Sequence, residues 1–314
     1  MNHSRRKFIK QSGGALPILL APSIFSYSSP TSVMEVKIDE INLFLINVTK
    51  ERNFSFGVWK NRQHVMFNIK GANHIGWGET KVASNQPDFD LAEWSKAFKK
   101  LKGMRLGQAI EEVRNQFLSG HWRPIITEGL LMTLYDLMGK IENKPTVKIW
   151  GLEGQDPVPA IFCILEKEEE MVVKQAQIAI DQNMHRYVKI KMFGDFEQDK
   201  KNISALRKFL GPDAFILGDP NRGYKYIKDL KELSKIMIAL HEAGMDGVED
   251  PSSLNKEELI YLQANVGKLS IVPDHIMRPA AKSIEYFDER MGDYFNLHPN
   301  CMGTFAEIND ISKV

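Results

Sequence analysis

The pattern of hydrophobic and polar positions changes character once along the chain, near residue 158. Before that point, period-two alternation predicts three antiparallel strands, at Val36–Val48, His64–Lys70 and Ile75–Val82. Apolar residues at helical spacing then predict helices at Leu91–Leu101, Gly107–Phe117 and Glu128–Ile141. Residues 34–157 are therefore expected to form an α+β domain.

From Val158 onward, strand and helix patterns alternate regularly. The predicted strands are Pro159–Leu165, Tyr187–Met192, Ala214–Asp219, Gly247–Asp250, Leu269–Asp274 and Tyr294–His298. The predicted helices between and after them are Glu168–Gln182, Asp195–Leu210, Tyr224–Ala243, Asn255–Val266 and Ala280–Arg290. Repeated βα units of similar length predict either a parallel (β/α) barrel or a doubly wound sheet over residues 158–314.

Composition sets only broad limits on the class of protein. The chain has 314 residues, of which 43% are hydrophobic and 26% charged, so it can bury a large core. Its net charge of +1 comes without a basic patch or acidic tail, and we expect no nucleic-acid partner. Cys163 and Cys301 are too few for a disulfide framework, and both are expected to be free and buried.

The first 32 residues have the pattern of an export signal. Ser4–Lys10 reads SRRKFIK and is followed by two glycines and the short apolar run Ala15–Phe25. This resembles a twin-arginine signal, which predicts export to the periplasm after folding. The alternative is a disordered basic tail. Pro17 and Pro22 interrupt the apolar run, which is also too short to span a membrane.

Two lysines share one face of the predicted strand Tyr187–Met192. Period two places Lys189 and Lys191 on the same side. Burying both would be costly unless they have a chemical role, and the alternative is an edge strand with two solvated lysines.

Three consecutive predicted strands end in an acidic residue. These are Asp219 in ILGDPN, Glu249 in GVEDPS and Asp274 in IVPDHI. In a parallel barrel the ends of the strands converge, so the three carboxylates are expected to meet. Oxygen ligands from three strands suit Mg²⁺, with Mn²⁺ as a substitute. The alternative is that each acid only caps the helix that follows.

Lysines beside such a site predict a particular type of chemistry. Removing a proton next to a carboxylate builds up negative charge, which a dication can hold. A lysine can accept that proton when a second ammonium group and the metal lower its pKa. The segment Asn53–Asn61 adds three aromatic residues, which either cover a substrate or pack beneath the strands.

Several motifs together resemble the enolase superfamily, in its muconate-lactonizing and dipeptide-epimerase branch. They are LYDLMGKIENKP at the end of a capping-domain helix, VKIKMFGD, LGDPNRGY, VEDP and VPDH. The match covers about residues 35–310. The resemblance implies an N-terminal capping domain on a (β/α) TIM-type barrel. It also implies an enzyme that abstracts the α-proton of a small carboxylate substrate, such as a dipeptide or an acyl amino acid.

The resemblance also assigns roles to individual residues. Asp219, Glu249 and Asp274 would bind Mg²⁺, Lys191 would be the base, and Lys189 would contact the substrate carboxylate and tune Lys191. Asn221 would support the metal ligands from behind.

Three positions depart from the family pattern. His275 follows Asp274 where a glutamate is usual. His298 aligns with the lysine on the opposite face of the substrate, where it acts either as an acid–base group or as a packing residue. Cys163 stands on the first barrel strand where epimerases tend to carry threonine; we expect it to point into the site and to be unreactive.

After His298 the sequence continues only to Val314, so about six βα units are expected instead of eight. Epimerisation of a dipeptide or acyl amino acid is the leading prediction. Cycloisomerisation or acid dehydration is the first alternative, and a truncated, non-catalytic relative is the second. The family often forms dimers or octamers, but the sequence indicates no interface.

Overall fold

The computed structural model describes residues 31–151, 158–278 and 287–298. Its strands are β1 Glu40–Phe54, β2 Gly57–Gly71, β3 His74–Ser84, β4 Phe162–Ile164, β5 Tyr187–Lys191, β6 Phe215–Asp219, β7 Gly247–Glu249 and β8 Ser270–Val272. Its α-helices are α1 Thr31–Met34, α2 Leu91–Ser95, α3 Leu106–Leu118, α4 Pro124–Glu142, α5 Thr146–Ile149, α6 Glu169–Asp181, α7 Phe196–Leu210, α8 Leu230–Glu242 and α9 Lys256–Asn265. Three short 3₁₀ helices cover Lys96–Leu101, His275–Met277 and Glu289–Met291.

The N-terminal part is an antiparallel sheet in the order β1-β2-β3, packed against α3 and α4. Helix α4 lies very close to β3. A Cβ atom at Gly76 would fall 2.2 Å from the carbonyl oxygen of Thr133, so the close approach requires glycine at this position. Polar contacts fix the same pair of elements. The backbone N–H of Trp77 donates to the Asp136 carboxylate, and Lys140 Nζ donates to the carbonyl of Ile75.

The C-terminal part is a parallel sheet in the order β4-β5-β6-β7-β8, with helices in each connection. Alternate residues of these strands face the helices and are completely buried, among them Val188, Ile190, Ile216 and Val248. The other set of alternate residues carries the lysines and acids. This division into a hydrophobic face and a polar face is the inside–outside pattern expected of an α/β barrel.

Several predicted elements are wrong in extent or type. Leu91–Leu101 divides into α2 and a 3₁₀ helix, and α8 begins at Leu230 instead of Tyr224. The predicted strand Tyr294–His298 is not a strand. It still runs beside β8, because the backbone N–H groups of Asp293 and Asn296 donate to the carbonyls of Ile271 and Pro273.

Some predictions cannot be compared with the structure. The predicted signal lies outside the described residues except for its last two positions, where α1 begins. Most of the predicted helix Ala280–Arg290 and all of residues 299–314 also lie outside them. The domain boundary at residues 157–158 stays a prediction. Within the described ranges, no helix is both long enough and apolar enough to cross a bilayer.

Candidate active site

The parallel register of the sheet brings the predicted lysines and two of the acids together. Lys191 pairs with Asp219 across β5 and β6, and Cys163 pairs with Lys189 across β4 and β5. Asp219 and Glu249 end β6 and β7, and Asp274 follows β8 by two residues. The side chains at the carboxyl ends of these strands therefore form one polar cluster.

The alternative that the acids are helix caps does not hold for Asp219 and Glu249. Helices α7, α8 and α9 are capped by the side chains of Asp195, Asp229 and Asn255. Lys191, Asp219, Glu249 and Asp274 are instead 4%, 6%, 2% and 5% exposed. Burying this many charged groups without a role is costly, so their convergence favours a functional site.

The two lysines make different contacts with the acids. Lys189 Nζ lies 2.6 Å from Glu249 Oε2 and 3.3 Å from Asp219 Oδ2. Lys191 Nζ lies 3.1 Å from Asp219 Oδ2 and 4.9 Å from the centre of the Phe54 ring. The interpretation of Lys189 and Lys191 as solvated residues on an edge strand is therefore wrong, since β5 lies inside the sheet.

Their pKa values move in opposite directions. Burial lowers the pKa of Lys189, but the carboxylates of Asp219 and Glu249 outweigh it and raise that pKa overall. Burial also lowers the pKa of Lys191, and there Asp219 does not reverse the shift. Burial, with the charge of Asp219, raises the pKa of Glu249 to about 7 against the opposing effect of Lys189. Lys189 is thus the better permanent cation and Lys191 the better proton acceptor.

Asn221 is hydrogen-bonded to Asp219, while its expected role behind a bound metal stays a prediction. Its backbone N–H and its side-chain amide both donate to Asp219 Oδ1, at 3.1 Å and 2.8 Å. Asn221 and Arg222 have φ angles of 46° and 63°, and Asp250 has 43°. Left-handed backbone at three non-glycine residues beside the strand ends is the type of local strain that accumulates at functional sites.

Asp274 is held by two residues that the sequence did not single out. Arg278 donates from Nε to Asp274 Oδ1 at 3.1 Å, and its Nη2 donates to Oδ2. The carboxylate of Asp250 accepts from the backbone N–H groups of Asp274 and His275, at 3.0 Å and 2.9 Å. Burial raises the pKa of Asp250 to about 6, although these two bonds lower it. Asp250 thereby fixes the loop that carries Asp274.

A dication fits the residues at one point of the cluster. Ligand atoms of Glu249, Asp274 and His298 all lie within 4.8 Å of one another. His298 Nε2 is buried without a hydrogen-bond partner and lies 3.5 Å from Asp274 Oδ1. Within the described part of the chain, this set differs from the predicted one, because Asp219 is directed toward the two lysines.

Cys163 lies at the edge of the site and is exposed, so the expectation that it is buried is wrong. Desolvation raises the pKa of its thiol, and the charges of Lys189, Asp219 and Glu249 also act on it. The thiol therefore adjoins the polar cluster, and its raised pKa agrees with an unreactive role. Cys301 lies outside the described residues.

The tip of the β1–β2 hairpin reaches the site from the N-terminal part. The predicted aromatic segment is a tight turn at residues 55–56 between two long strands. Ser55 Oγ donates to the carbonyl of Pro220 at 2.7 Å, and the Phe54 ring faces Lys191. Phe54 stacks on Phe56 and contacts Trp59, so the three aromatic rings form a cluster above the lysine.

A buried carboxylate ties together the two loops after β5 and β6. Asp199 accepts from the N–H groups of Phe193 and Gly194 at 2.9 Å and 3.0 Å, and from Tyr224 Oη at 2.7 Å. The two loops also touch directly, because a Cβ atom at Gly194 would fall 2.5 Å from the carbonyl of Gly223.

Sequence reasoning missed Arg278, Asp250, Asp199 and the reach of Ser55. Signals existed for two of them. Arg278 stands four residues after Asp274, a spacing that brings opposite charges together in a helical turn, and Asp250 directly follows Glu249. The contacts of Asp199 and Ser55 join segments far apart in the chain, and no local pattern reveals them.

Part of this chain matches a known protein family. Residues 171–314 match the family described as enolase C-terminal domain-like. Muconate cycloisomerase 1 of Acinetobacter baylyi is 19% identical over 253 residues, covering 76% of this chain and 66% of the relative. The L-Lys-D/L-Arg epimerase of Methylococcus capsulatus is 29% identical over 128 residues, which cover 41% of this chain and 34% of the epimerase. The chain thus spans two thirds or less of these relatives' lengths.

Solved structures share this fold over most of the chain. The dipeptide epimerase from Enterococcus faecalis, complexed with Mg and the dipeptide L-Leu-L-Tyr, superposes with a TM-score of 0.72 at 21% identity. The alignment covers 88% of this chain and 79% of the epimerase. The likeness confirms the TIM-barrel fold class with an N-terminal capping domain.

Proposed function

We propose that this chain, whose residues 171–314 match the enolase C-terminal domain-like family, is an enolase-superfamily isomerase that abstracts the α-proton of a carboxylate substrate. The observation that supports this most is the lysine pair. Lys191 Nζ is buried with a lowered pKa, while Lys189 stays cationic between Asp219 and Glu249. A base and a fixed positive charge thus lie on one strand.

In the proposed step, the neutral amine of Lys191 takes the proton from the α-carbon of the substrate. The C–H bond breaks, an N–H bond forms, and the electron pair moves toward the carboxylate, which becomes an enediolate. Lys189 offers its ammonium group to a carboxylate oxygen. A dication bound beside these residues supplies further stabilisation of that charge.

Glu249 and Asp274 are the acids best placed to hold the dication, with Asp219 and Asn221 adjoining them. If only the carboxylate oxygens of these acids are counted as ligands, Mg²⁺ is the ion we propose, with Mn²⁺ as a substitute. The dipeptide epimerase that shares the fold is complexed with Mg, which supports this choice.

The proposed substrate is a dipeptide or acyl amino acid, and the proposed reaction is its epimerisation, with His298 returning the proton from the opposite face. The names of two relatives support this choice: the L-Lys-D/L-Arg epimerase of Methylococcus capsulatus and the N-succinyl-L-Arg/Lys racemase of Bacillus cereus, which is 24% identical over 230 residues. Cycloisomerisation is the second candidate. It is favoured by the position of His298 Nε2, 3.5 Å from Asp274, because such a reaction needs a base on one face only.

The surroundings of the site bear on substrate access and location. We propose that Phe54, Phe56 and Trp59 cover the bound substrate, since Phe54 already faces Lys191. We also propose that the SRRKFIK motif directs export to the periplasm, where cell-wall peptides are available as substrates.

The proposed function is tested by proton exchange with solvent. A panel of dipeptides and N-acyl amino acids is incubated in D₂O with enzyme and Mg²⁺ or Mn²⁺, and loss of the α-proton signal is followed by NMR. Lys191→Met should slow exchange at least about 10²-fold, because the proton acceptor is gone. Lys201→Met, which changes an exposed lysine on α7, serves as the matched control. Exchange that survives in Lys191→Met contradicts the assignment of the base.

A further inference from the structure

His298 directs its imidazole at two acids instead of at the lysine pair. Its ligand atom and those of Glu249 and Asp274 lie within 4.8 Å of one another, which is the separation of ligands around one ion. Glu249 and Asp274 are almost completely buried. The three residues come from three neighbouring segments, the ends of β7 and β8 and the segment beside β8.

The nitrogen that faces the acids lacks a hydrogen-bond partner. His298 Nε2 is buried, and its 3.5 Å separation from Asp274 Oδ1 does not meet the geometry of a hydrogen bond. A buried polar atom left unsatisfied is costly in a folded protein. Coordination of a cation between these three residues would satisfy the lone pair of this nitrogen.

The acid next to His298 is held in place by its own partners. Arg278 donates to both carboxylate oxygens of Asp274, and the backbone N–H of Asp274 donates to Asp250. Ligating carboxylates are commonly oriented by such outer hydrogen bonds. Lys189 orients Glu249 in the same way, through its 2.6 Å contact with Oε2.

We propose that His298 Nε2 is a direct metal ligand together with Glu249 and Asp274, and that this mixed set prefers first-row transition-metal dications, with Mn²⁺ as the probe, to Mg²⁺. Imidazole nitrogen is a poor ligand for Mg²⁺ and a good one for first-row transition metals. The inference deepens the proposed function and rests on it, because the proposed reaction is what requires a dication. It departs from the first candidate reaction, because a metal-bound His298 cannot return a proton to the substrate, and it favours cycloisomerisation instead.

A coordinated imidazole has no lone pair on Nε2 with which to carry a proton to the substrate. Lys191 then remains the acid–base group on one face, and His298 does not serve the other. This favours a one-face reaction such as cycloisomerisation over epimerisation. In D₂O, a substrate that exchanges its α-proton should therefore keep its configuration.

The test measures metal selectivity and nitrogen coordination directly. Purified full-length protein is titrated calorimetrically with Mn²⁺ and with Mg²⁺, and the Mn²⁺ complex is examined by pulsed electron paramagnetic resonance. We expect Mn²⁺ to bind at least about tenfold more tightly than Mg²⁺, and the resonance signal to show modulation from one directly bound ¹⁴N. His298→Ala and His298→Gln should each abolish the modulation and the preference for Mn²⁺.

Controls separate this inference from folding effects and from the proposed function. His275→Ala changes a neighbouring exposed imidazole and should leave both readouts unchanged. Thermal unfolding identifies any His298 variant that fails to fold. In that case the presence or absence of ¹⁴N modulation in the wild-type Mn²⁺ complex decides whether the inference holds. Tight Mn²⁺ binding without nitrogen modulation overturns the inference even if α-proton exchange occurs. Nitrogen modulation without any exchange leaves the inference standing and contradicts the proposed function.

Discussion

Lys189 and Lys191 show how one residue type acquires two roles from position alone. Both side chains lie on the same face of β5, two residues apart. Lys189 is held by two carboxylates, whereas Lys191 has one carboxylate and an aromatic ring for neighbours. The opposite directions of their pKa shifts follow from this difference, because an additional negative neighbour stabilises the ammonium form.

Glu128 is a titratable residue remote from the site, and it provides a prediction about stability. Burial raises its pKa from an ordinary 4.5 to about 7, against the opposing hydrogen bond from Thr80. The folded chain then binds more protons than the unfolded chain between these two values. The free energy of unfolding should therefore fall as the pH rises through that window.

Glu128→Gln removes this titration. At pH 8 the variant should be more stable than the wild type by about 1–2 kcal/mol, since one pKa unit corresponds to about 1.4 kcal/mol and partial exposure reduces the effect. Urea unfolding from pH 4 to pH 8 measures the difference in the free energy of unfolding between the variant and the wild type. A difference that does not grow with pH contradicts the prediction.

At the scale of elements, Arg207 on α7 holds the ends of the strands opposite the site. Its guanidinium donates to the carbonyls of Gly211, Ala214 and Gly244, and it pairs with Asp246. Asp246 in turn accepts from the backbone N–H of Ile216 at 2.7 Å. One side chain thus joins α7 to the starts of β6 and β7.

Arg207→Lys should lower the free energy of unfolding by about 2–4 kcal/mol, because one ammonium group cannot satisfy three carbonyls and a carboxylate. Dication binding should stay unchanged, since the affected loops lie at the other end of the strands. Thermal or urea unfolding, with calorimetry, measures both quantities. Lys208→Gln, at the exposed neighbouring position, is the control. Stability equal to that of the wild type would refute the role given to Arg207.

Much of the element order was predictable from the sequence, because the helices and strands are strongly periodic. The failures have physical causes. Tyr294–His298 alternates like a strand, but within the described residues its one backbone bond to the neighbouring segment runs from the N–H of Asn296 to the carbonyl of Pro273, just after β8, so no ladder forms. The sequence predicts that α8 starts at Tyr224. In the structure the Tyr224 hydroxyl donates to Asp199, and the helix begins only after its N-cap residue, Asp229.

The site was predictable only in part, because some of its residues lie on irregular segments without a periodic pattern. Lys189, Lys191, Asp219 and Glu249 follow from period two and from the strand ends, and the register confirms that they converge. The partners of Asp274 do not follow from any pattern. Arg278 and His298 meet that carboxylate through the path of irregular chain after β8, which sequence periodicity does not describe.

At the scale of the molecule, the two sheets meet at the site. The β1–β2 hairpin places Ser55 against the carbonyl of Pro220 and Phe54 against Lys191. The N-terminal sheet therefore closes the polar cluster from above, while the parallel sheet supplies its charged residues. Water is excluded from one side of Lys191, which strengthens every electrostatic interaction there.

The measurement that tests the assembled site most directly is calorimetric titration of the full-length chain with Mg²⁺ and Mn²⁺. The wild type should bind one dication, and Glu249→Gln should weaken binding at least about tenfold, because it removes a buried ligand. Glu242→Gln, an exposed change in the last turn of α8, should have no effect. Absence of binding in the wild type, or equal binding in Glu249→Gln, would contradict a dication site at the ends of these strands.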